Sequence, residues 1–266
     1  MRTGSVSSSR FRLTQRSIFV SLLAFLSFGA CADVVVGNGS IKTEERHLPA
    51  FSSIAVSGSG TLRVHRGHQR VAITSDSNIL PYIVTTVSGD QLTIGLKPMA
   101  SVLDSTKMEF DITIPDLSCV RLSGSGDSYI DAFSGDLFTG TISGSGTMKA
   151  SLDYTKADLT VSGSGGFDAK VRAVAFDLRC SGSGRVSLEG SAGRIDMAVA
   201  GSGRIGAHDF AAQDARIAIS GSGDVEVKAE KSIDARLSGS GALQYWGSPS
   251  ISQQVSGSGR ITRAGD

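Results

Sequence analysis

A right-handed parallel β-helix is the fold class this 266-residue sequence predicts, and three observations predict it. The phrase Gly-Ser-Gly recurs nine times, with first glycines at 58, 124, 144, 163, 182, 201, 221, 239 and 257. After one gap of 66 the steps are 20, 19, 19, 19, 20, 18 and 18, a fixed period that marks a stacked array. Apolar residues stand two apart on both sides of each phrase, as in a strand with one buried face. One such repeat is too short to bury its apolar face alone, and stacking in register buries it. The parallel crossover rule supplies the right hand.

Taken in order, residues 1–32 read as an export signal. Arg2, Arg10, Arg12 and Arg16 precede an uncharged stretch from Ser17 to Ala30, and no acidic residue occurs before Asp33. Its 14 residues fall short of the roughly 20 a permanent membrane helix needs. Ala30-Cys31-Ala32 suits cleavage and soluble release. Gly29-Ala30-Cys31 suits lipidation of Cys31, although Phe28 stands where that motif prefers Leu. Either route implies export, with membrane contact only through an anchor at Cys31. Without the signal, 22 Lys and Arg face 25 Asp and Glu, so the excess of basic charge that nucleic-acid binding needs is absent.

Residues 33–44 read as a linker, and 45–263 as one β-helix domain. Within it, 45–116 give less regular N-terminal coils and a cap, where four of the five prolines lie, and 117–263 give the regular coils. Each regular coil reads as strand, turn, strand and corner. Length differences fall in the corner, and a column eight after the glycine (Ala132, Leu152, Val171, Ala229) suggests a short third side.

The turn glycines are Gly58 and Gly60, Gly124 and Gly126, Gly144 and Gly146, Gly163 and Gly165, and Gly182 and Gly184, followed by Gly201 and Gly203, Gly221 and Gly223, Gly239 and Gly241, and Gly257 and Gly259. Both columns are expected to exploit positive φ. The serines between them, Ser59 to Ser258, are expected to form a hydroxyl ladder. Cys180 falls in an inward column and Cys119 on outward parity. Three coils separate them, roughly 14 Å at ~4.8 Å per coil against a bridging limit of ~7 Å, so both should be free thiols.

The run from "ERHLPAFSSIAVSGSGTLRVHRG" through "NILPYI" and "ITIPDLSCVRLSGSGD" to "LQYWGSPSISQQVSGSGRI" resembles the putative auto-transporter adhesin head, or GIN domain, family. The resemblance spans roughly 45–263. It implies a right-handed β-helix in an exported bacterial protein, with an adhesive role suggested by architecture, and it carries over no catalytic or binding residues.

The chemistry-bearing motifs are sparse. No Gly-Lys-Ser/Thr ending makes a phosphate loop, no G-x-S-x-G makes a nucleophile elbow, and the period is not that of calcium repeats. No cofactor, metal site or catalytic residue is expected. Arg63, His65, Arg66, His68 and Arg70 surround Gly67 in a hairpin that could bind polyanions such as acidic glycans or other envelope components. His208 and Asp209 lie in a corner with no evident third partner, and Trp246 reads as a lid on the last coil. An adhesive wall is expected along Arg63, Lys149, Asp168, Arg185, Arg204, Glu226 and Arg260. The expected function is non-catalytic structural or adhesive service in the envelope, the alternative being a polysaccharide-binding or polysaccharide-cleaving β-helix enzyme.

Overall fold

The computed structural model describes residues 33–265; the stretch expected to be an export signal, with Cys31, lies outside them. The right-handed parallel β-helix is the architecture present, with coils of about 19 residues. Its regular part is six long, bent strands: β11 (Asp127–Gly144), β12 (Thr147–Gly163), β13 (Gly166–Gly182), β14 (Arg185–Gly201), β15 (Arg204–Gly221) and β16 (Asp224–Gly239). Successive strands pair in parallel, and all nine first glycines fall into one column from Gly58 to Gly257.

The irregular N-terminal part is built differently from a simple series of loose coils. The strands there are β1 (Asp33–Val36), β2 (Ile41–Glu45), β3 (Ser53–Gly58), β4 (Thr61–Arg66), β5 (Arg70–Asp76), β6 (Ile83–Ser88), β7 (Gln91–Leu96), β8 (Ala100–Asp104), β9 (Met108–Ile114) and β10 (Cys119–Gly124). β3 and β4 pair directly with β10 and β11, so Gly58 lies beside Gly124 despite the 66 residues between them. On their other side they pair in parallel with β7 and β9. Stack order therefore departs from chain order: 91–114 lies below 53–66, which lies below 119–130. The bottom layer is closed by antiparallel strands, β6 on β7, β5 on β9 and β2 on β5. Residues 33–44, expected as a linker, instead supply β2 to this cap and β1 to a separate two-stranded ribbon with β8.

Asp76 anchors the cap. Its buried carboxylate accepts from Gly39 N–H at 2.7 Å, Thr106 N–H at 2.8 Å and the Thr106 hydroxyl at 3.0 Å. Burial pushes its pKa upward, but these bonds outweigh it and hold the carboxyl below its ordinary value. Above the cap, the buried Tyr154 hydroxyl donates to Leu117 O at 2.5 Å, and burial raises its pKa to about 12.

The top is blunted by sequence rather than by added strands. The last coil is β18 (Ser250–Gly257) and β19 (Arg260–Gly265), above β17 (Ala242–Trp246). Here the inward column of buried Ile217 and Ala235 continues as Gln253, and that of Val227 and Tyr245 continues as Arg263. Arg263 donates to Gly247 O and to Ser248 Oγ, both at 2.8 Å. Inward polar groups on a terminal rung discourage edge-to-edge addition. Trp246 is thus not the lid on the last coil, since β19 lies beyond it.

The two glycine columns have different causes. The first glycine of each turn has positive φ, for example +103° at Gly182, but among the second glycines only Gly60 does. A Cβ on Gly203 would meet Cys180 Sγ at 2.6 Å and Gly184 O at 3.2 Å. Close stacking, not positive φ, demands that second glycine. Nor do the turn serines form a hydroxyl ladder. Their backbone N–H groups donate to the first glycine carbonyl of the coil below, as Ser183 N does to Gly163 O at 2.9 Å. The residue after the second glycine repeats the bond, to the second glycine of the coil below, as Arg185 N does to Gly165 O at 3.1 Å.

Inside, Phe133, Phe138, Phe167, Phe176 and Phe210 are fully buried among aliphatic columns. A one-residue shift after Ile130 puts Phe133, rather than Ala132, into the third-side column with Leu152, Val171 and Gly190. Cys119 and Cys180 are free thiols. Cys119 is buried despite its outward parity, as is its register partner Ser53. Residues 52 and 118, hydrogen-bonded backbone to backbone at 2.8 Å, close that corner.

Candidate functional site

The wall that follows the Gly-Ser-Gly turn presents polar residues in two adjacent columns. Three residues past each first glycine stand Thr61, Asp127, Thr147, Gly166, Arg185, Arg204, Asp224, Ala242 and Arg260. Five past it stand Arg63, Tyr129, Lys149, Asp168, Ser187, Gly206, Glu226, Gln244 and Thr262. The row expected from sequence is therefore split between neighbouring columns, and its charges partly pair, as Arg204 does with Asp224 at 3.4 Å. Two clusters stand out, one at each end of this wall.

At the lower end lie the five basic residues singled out from sequence. They do not sit on a hairpin: β9 lies between β4 and β5, pairing in parallel with one and antiparallel with the other. Arg63 meets Glu109 at 2.6 Å and covers the Tyr129 ring, 5.0 Å from its centroid. Glu109 also binds Lys107 at 2.6 Å. The Lys107 hydrogen bond, then that of Arg63, hold its carboxyl below the ordinary glutamate value against a smaller upward push from burial. His65 lies 2.8 Å from Asp131 through Nδ1 and 3.9 Å from Asp111 through Nε2. Arg70 meets Glu45 at 2.6 Å, and Arg66 donates to Ser134 Oγ at 3.3 Å. The fixed cations Arg63, Arg66, Arg70 and Lys107 thus face as many carboxylates: Glu45, Glu109, Asp111 and Asp131. His68 is exposed and joins none of these pairs. Counted by these fixed charges alone, the cluster is neutral.

At the upper end, an irregularity between Ala207 and Ala211 shapes the second cluster. Phe210 turns inward, its ring 5.7 Å from that of Phe176, while His208 and Asp209 are pushed outward. The third partner absent from the sequence reading is Glu226. His208 Nε2 lies 2.9 Å from Asp209, and its Nδ1 lies 3.3 Å from Glu226. The half-buried Trp246 ring stands 6.0 Å from the imidazole, and Gln244 is the register partner of Glu226. These residues come from three successive coils, at five, seven and, for Asp209, eight residues past Gly201, Gly221 and Gly239. Counting from the glycine column would have brought them together; the raw spacing of 38 residues between His208 and Trp246 hides it.

An aromatic face beside carboxylates, an imidazole and an amide can stack an apolar ligand face and hydrogen-bond its edges. It is poorly arranged for catalysis, because His208 and Asp209 are 54% and 67% exposed where acid–base chemistry benefits from excluded water. Among the described residues no group of three or more His, Cys, Asp or Glu is placed to hold a metal ion, and no helix is long and apolar enough to cross a membrane.

The family model described as "Putative auto-transporter adhesin, head GIN domain" matches residues 50–249. A putative adhesin from Parabacteroides merdae superposes with a TM-score of 0.83 at 25% identity, covering 88% of this chain and all of its own. A putative lipid binding protein from Parabacteroides distasonis gives 0.82 at 27% identity, covering 87% of this chain and all of its own. A putative adhesin from the same organism gives 0.81 at 25%, with 87% and 100% covered. No curated protein matches the chain.

Proposed function

The chain belongs to the putative auto-transporter adhesin, head GIN domain family, and from that premise we propose that it is an exported, non-catalytic binding protein of the bacterial envelope whose post-turn wall takes up saccharide at Trp246. The observation that carries this reading is the placement of the chain's one tryptophan beside His208, Asp209 and Glu226. No inward column requires an indole there. In the coil below, its register partner is Lys228. A sugar offers a C–H face to stack and hydroxyls to bond, which suits an indole flanked by carboxylates and an amide. The two carboxylates favour neutral or amino sugars over acidic ones. One such exposed site offers few contacts and binds weakly. Display of many copies on a surface multiplies it by avidity. The solved relatives at 25–27% identity are described as adhesins or as lipid binding, which supports a binding role.

Trp246 also supplies the test, because protein fluorescence on excitation at the red edge reports this site alone. Soluble oligomers of N-acetylglucosamine and of mannose are titrated into the protein. Saturable quenching or a spectral shift is expected, with binding by calorimetry lost in Trp246→Ala at unchanged melting temperature and the oligomers recovered uncleaved. If no saccharide perturbs the emission, or if Trp246→Ala binds as well as the parent, the reading fails. A response to a quaternary ammonium alone would reassign the site to cation recognition.

A further inference from the structure

The ribbon of β1 and β8 stands apart from the helix sheet and pairs only with itself. One of its faces is accounted for, since Val35 and Val102 pack against the core. The other is not. Val34, Val36, Met99 and Leu103 are between 54% and 70% exposed, and all four lie on this ribbon or on the turn that leads into it. Met99 has φ +67°, and among the described residues it is the one non-glycine with positive φ. That conformation is uncommon for a side-chain-bearing residue, and here it presents a large apolar side chain to solvent on a surface turn. Single exposed apolar residues need no explanation, but four on one small ribbon do.

The neighbouring sequence says what covers them. The apolar stretch from Ser17 to Ala30 ends just before Cys31, and β1 begins at Asp33. If Cys31 carries the anchor, Val34 is three residues from a group held in the bilayer. Three residues span at most about 10 Å. The interfacial layer of one leaflet is itself roughly 5–8 Å thick. An anchored chain therefore cannot hold β1 away from the lipid surface, whichever way the rest of the molecule points.

We propose that the outer face of the β1–β8 ribbon is a membrane-contact surface, with Val34, Val36, Met99 and Leu103 seated in the bilayer interface and orienting the β-helix relative to the membrane. Asp33 opens β1 and Asp104, the register partner of Val36, closes β8, so the ribbon offers no electrostatic attraction to anionic lipid and the contact is an apolar one. The proposal rests on export, and on anchoring for its full geometry, but not on the saccharide reading.

The experiment uses the full chain with its own signal, purified from envelopes, in two labelled forms. One carries an environment-sensitive fluorophore at Leu103→Cys. The other carries it at Val174→Cys, a residue of the helix wall that is 66% exposed and serves as the matched control. Intact mass establishes first whether Cys31 is acylated. For acylated protein in vesicles of phosphatidylethanolamine and phosphatidylglycerol, spin-labelled lipid should quench the label at 103 several-fold more than that at 174. Equal quenching overturns the proposal. If the mass shows an N-terminus at Asp33, the unlabelled protein should co-float with the same vesicles. It should cease to do so when Val34, Val36, Met99 and Leu103 are all changed to Ser, with its melting temperature retained. Absence of flotation, or a concentration-dependent dimer that the quadruple variant abolishes, overturns it in favour of an open or self-associating ribbon.

Discussion

Replacing Gly58 and Gly182 separately with alanine distinguishes the two forces that keep glycine in the turn column. Both residues have nearly the same backbone, φ +107° and +103°, so alanine pays a similar conformational cost at each. That cost is about 1–3 kcal/mol for a residue held in a region glycine alone visits readily. Their surroundings differ. A Cβ on Gly58 meets nothing within 4 Å, because the layer beneath it has no matching turn. A Cβ on Gly182 would lie 2.5 Å from Gly163 O, a contact that cannot close below about 3.0 Å. That oxygen cannot simply swing away, since it accepts the Ser183 N–H at 2.9 Å. The coils must separate by about half an ångström or break that bond, and forced overpacking of this kind adds about 1–3 kcal/mol. Gly182→Ala should therefore lose about 2–6 kcal/mol and Gly58→Ala about 1–3. Urea unfolding followed by far-ultraviolet circular dichroism gives both values by linear extrapolation. Because the Gly182 change interrupts a linear stack in its middle, its transition should also broaden. Equal losses for the two variants would refute the claim that coil-to-coil contact, beyond positive φ, keeps glycine in this column.

Other outcomes follow from single groups. Ser128 is buried between Leu62 and Met148 in its column with an unpartnered hydroxyl, so Ser128→Ala should raise the urea midpoint, by about 1 kcal/mol of stability. Asp76 and Glu109 have folded pKa values below their unfolded ones, so the unfolded chain binds more protons. Their contribution is complete above about pH 4–5 and is lost as pH falls through the folded values. Asp76→Asn with Glu109→Gln should flatten the acid limb of a stability–pH curve. Cys119 and Cys180 are buried, and burial raises the Cys180 thiol pKa against a smaller lowering by the Gly184 backbone. Neither should react with a thiol reagent until urea unfolds the protein. A polyanion resin should release the protein in the first low-salt wash. Salt-dependent retention that disappears when Arg63, Arg66 and Arg70 become Ser would restore the lower cluster as the adhesive surface.

The nine-fold Gly-Ser-Gly spacing and the period-two apolar columns were enough to establish the β-helix and most of its inward residues from sequence alone. Backbone chemistry and parity are local, and a repeat writes the same local demand many times. The three-coil separation of Cys119 and Cys180 was legible for the same reason. What lay beyond sequence were the places where distant segments meet. The placement of 53–66 above 91–114 depends on which strand edges pair, and nothing in either segment states its partner. The neutralising of Arg63 by Glu109 and of Arg70 by Glu45 comes from that same rearranged cap. Asp209 joins His208 on the outer face, where the column count puts an inward residue, because an irregularity after Ala207 turns Phe210 inward in its place. A register shift of that kind is a compromise between neighbouring coils, so only their packed arrangement decides it.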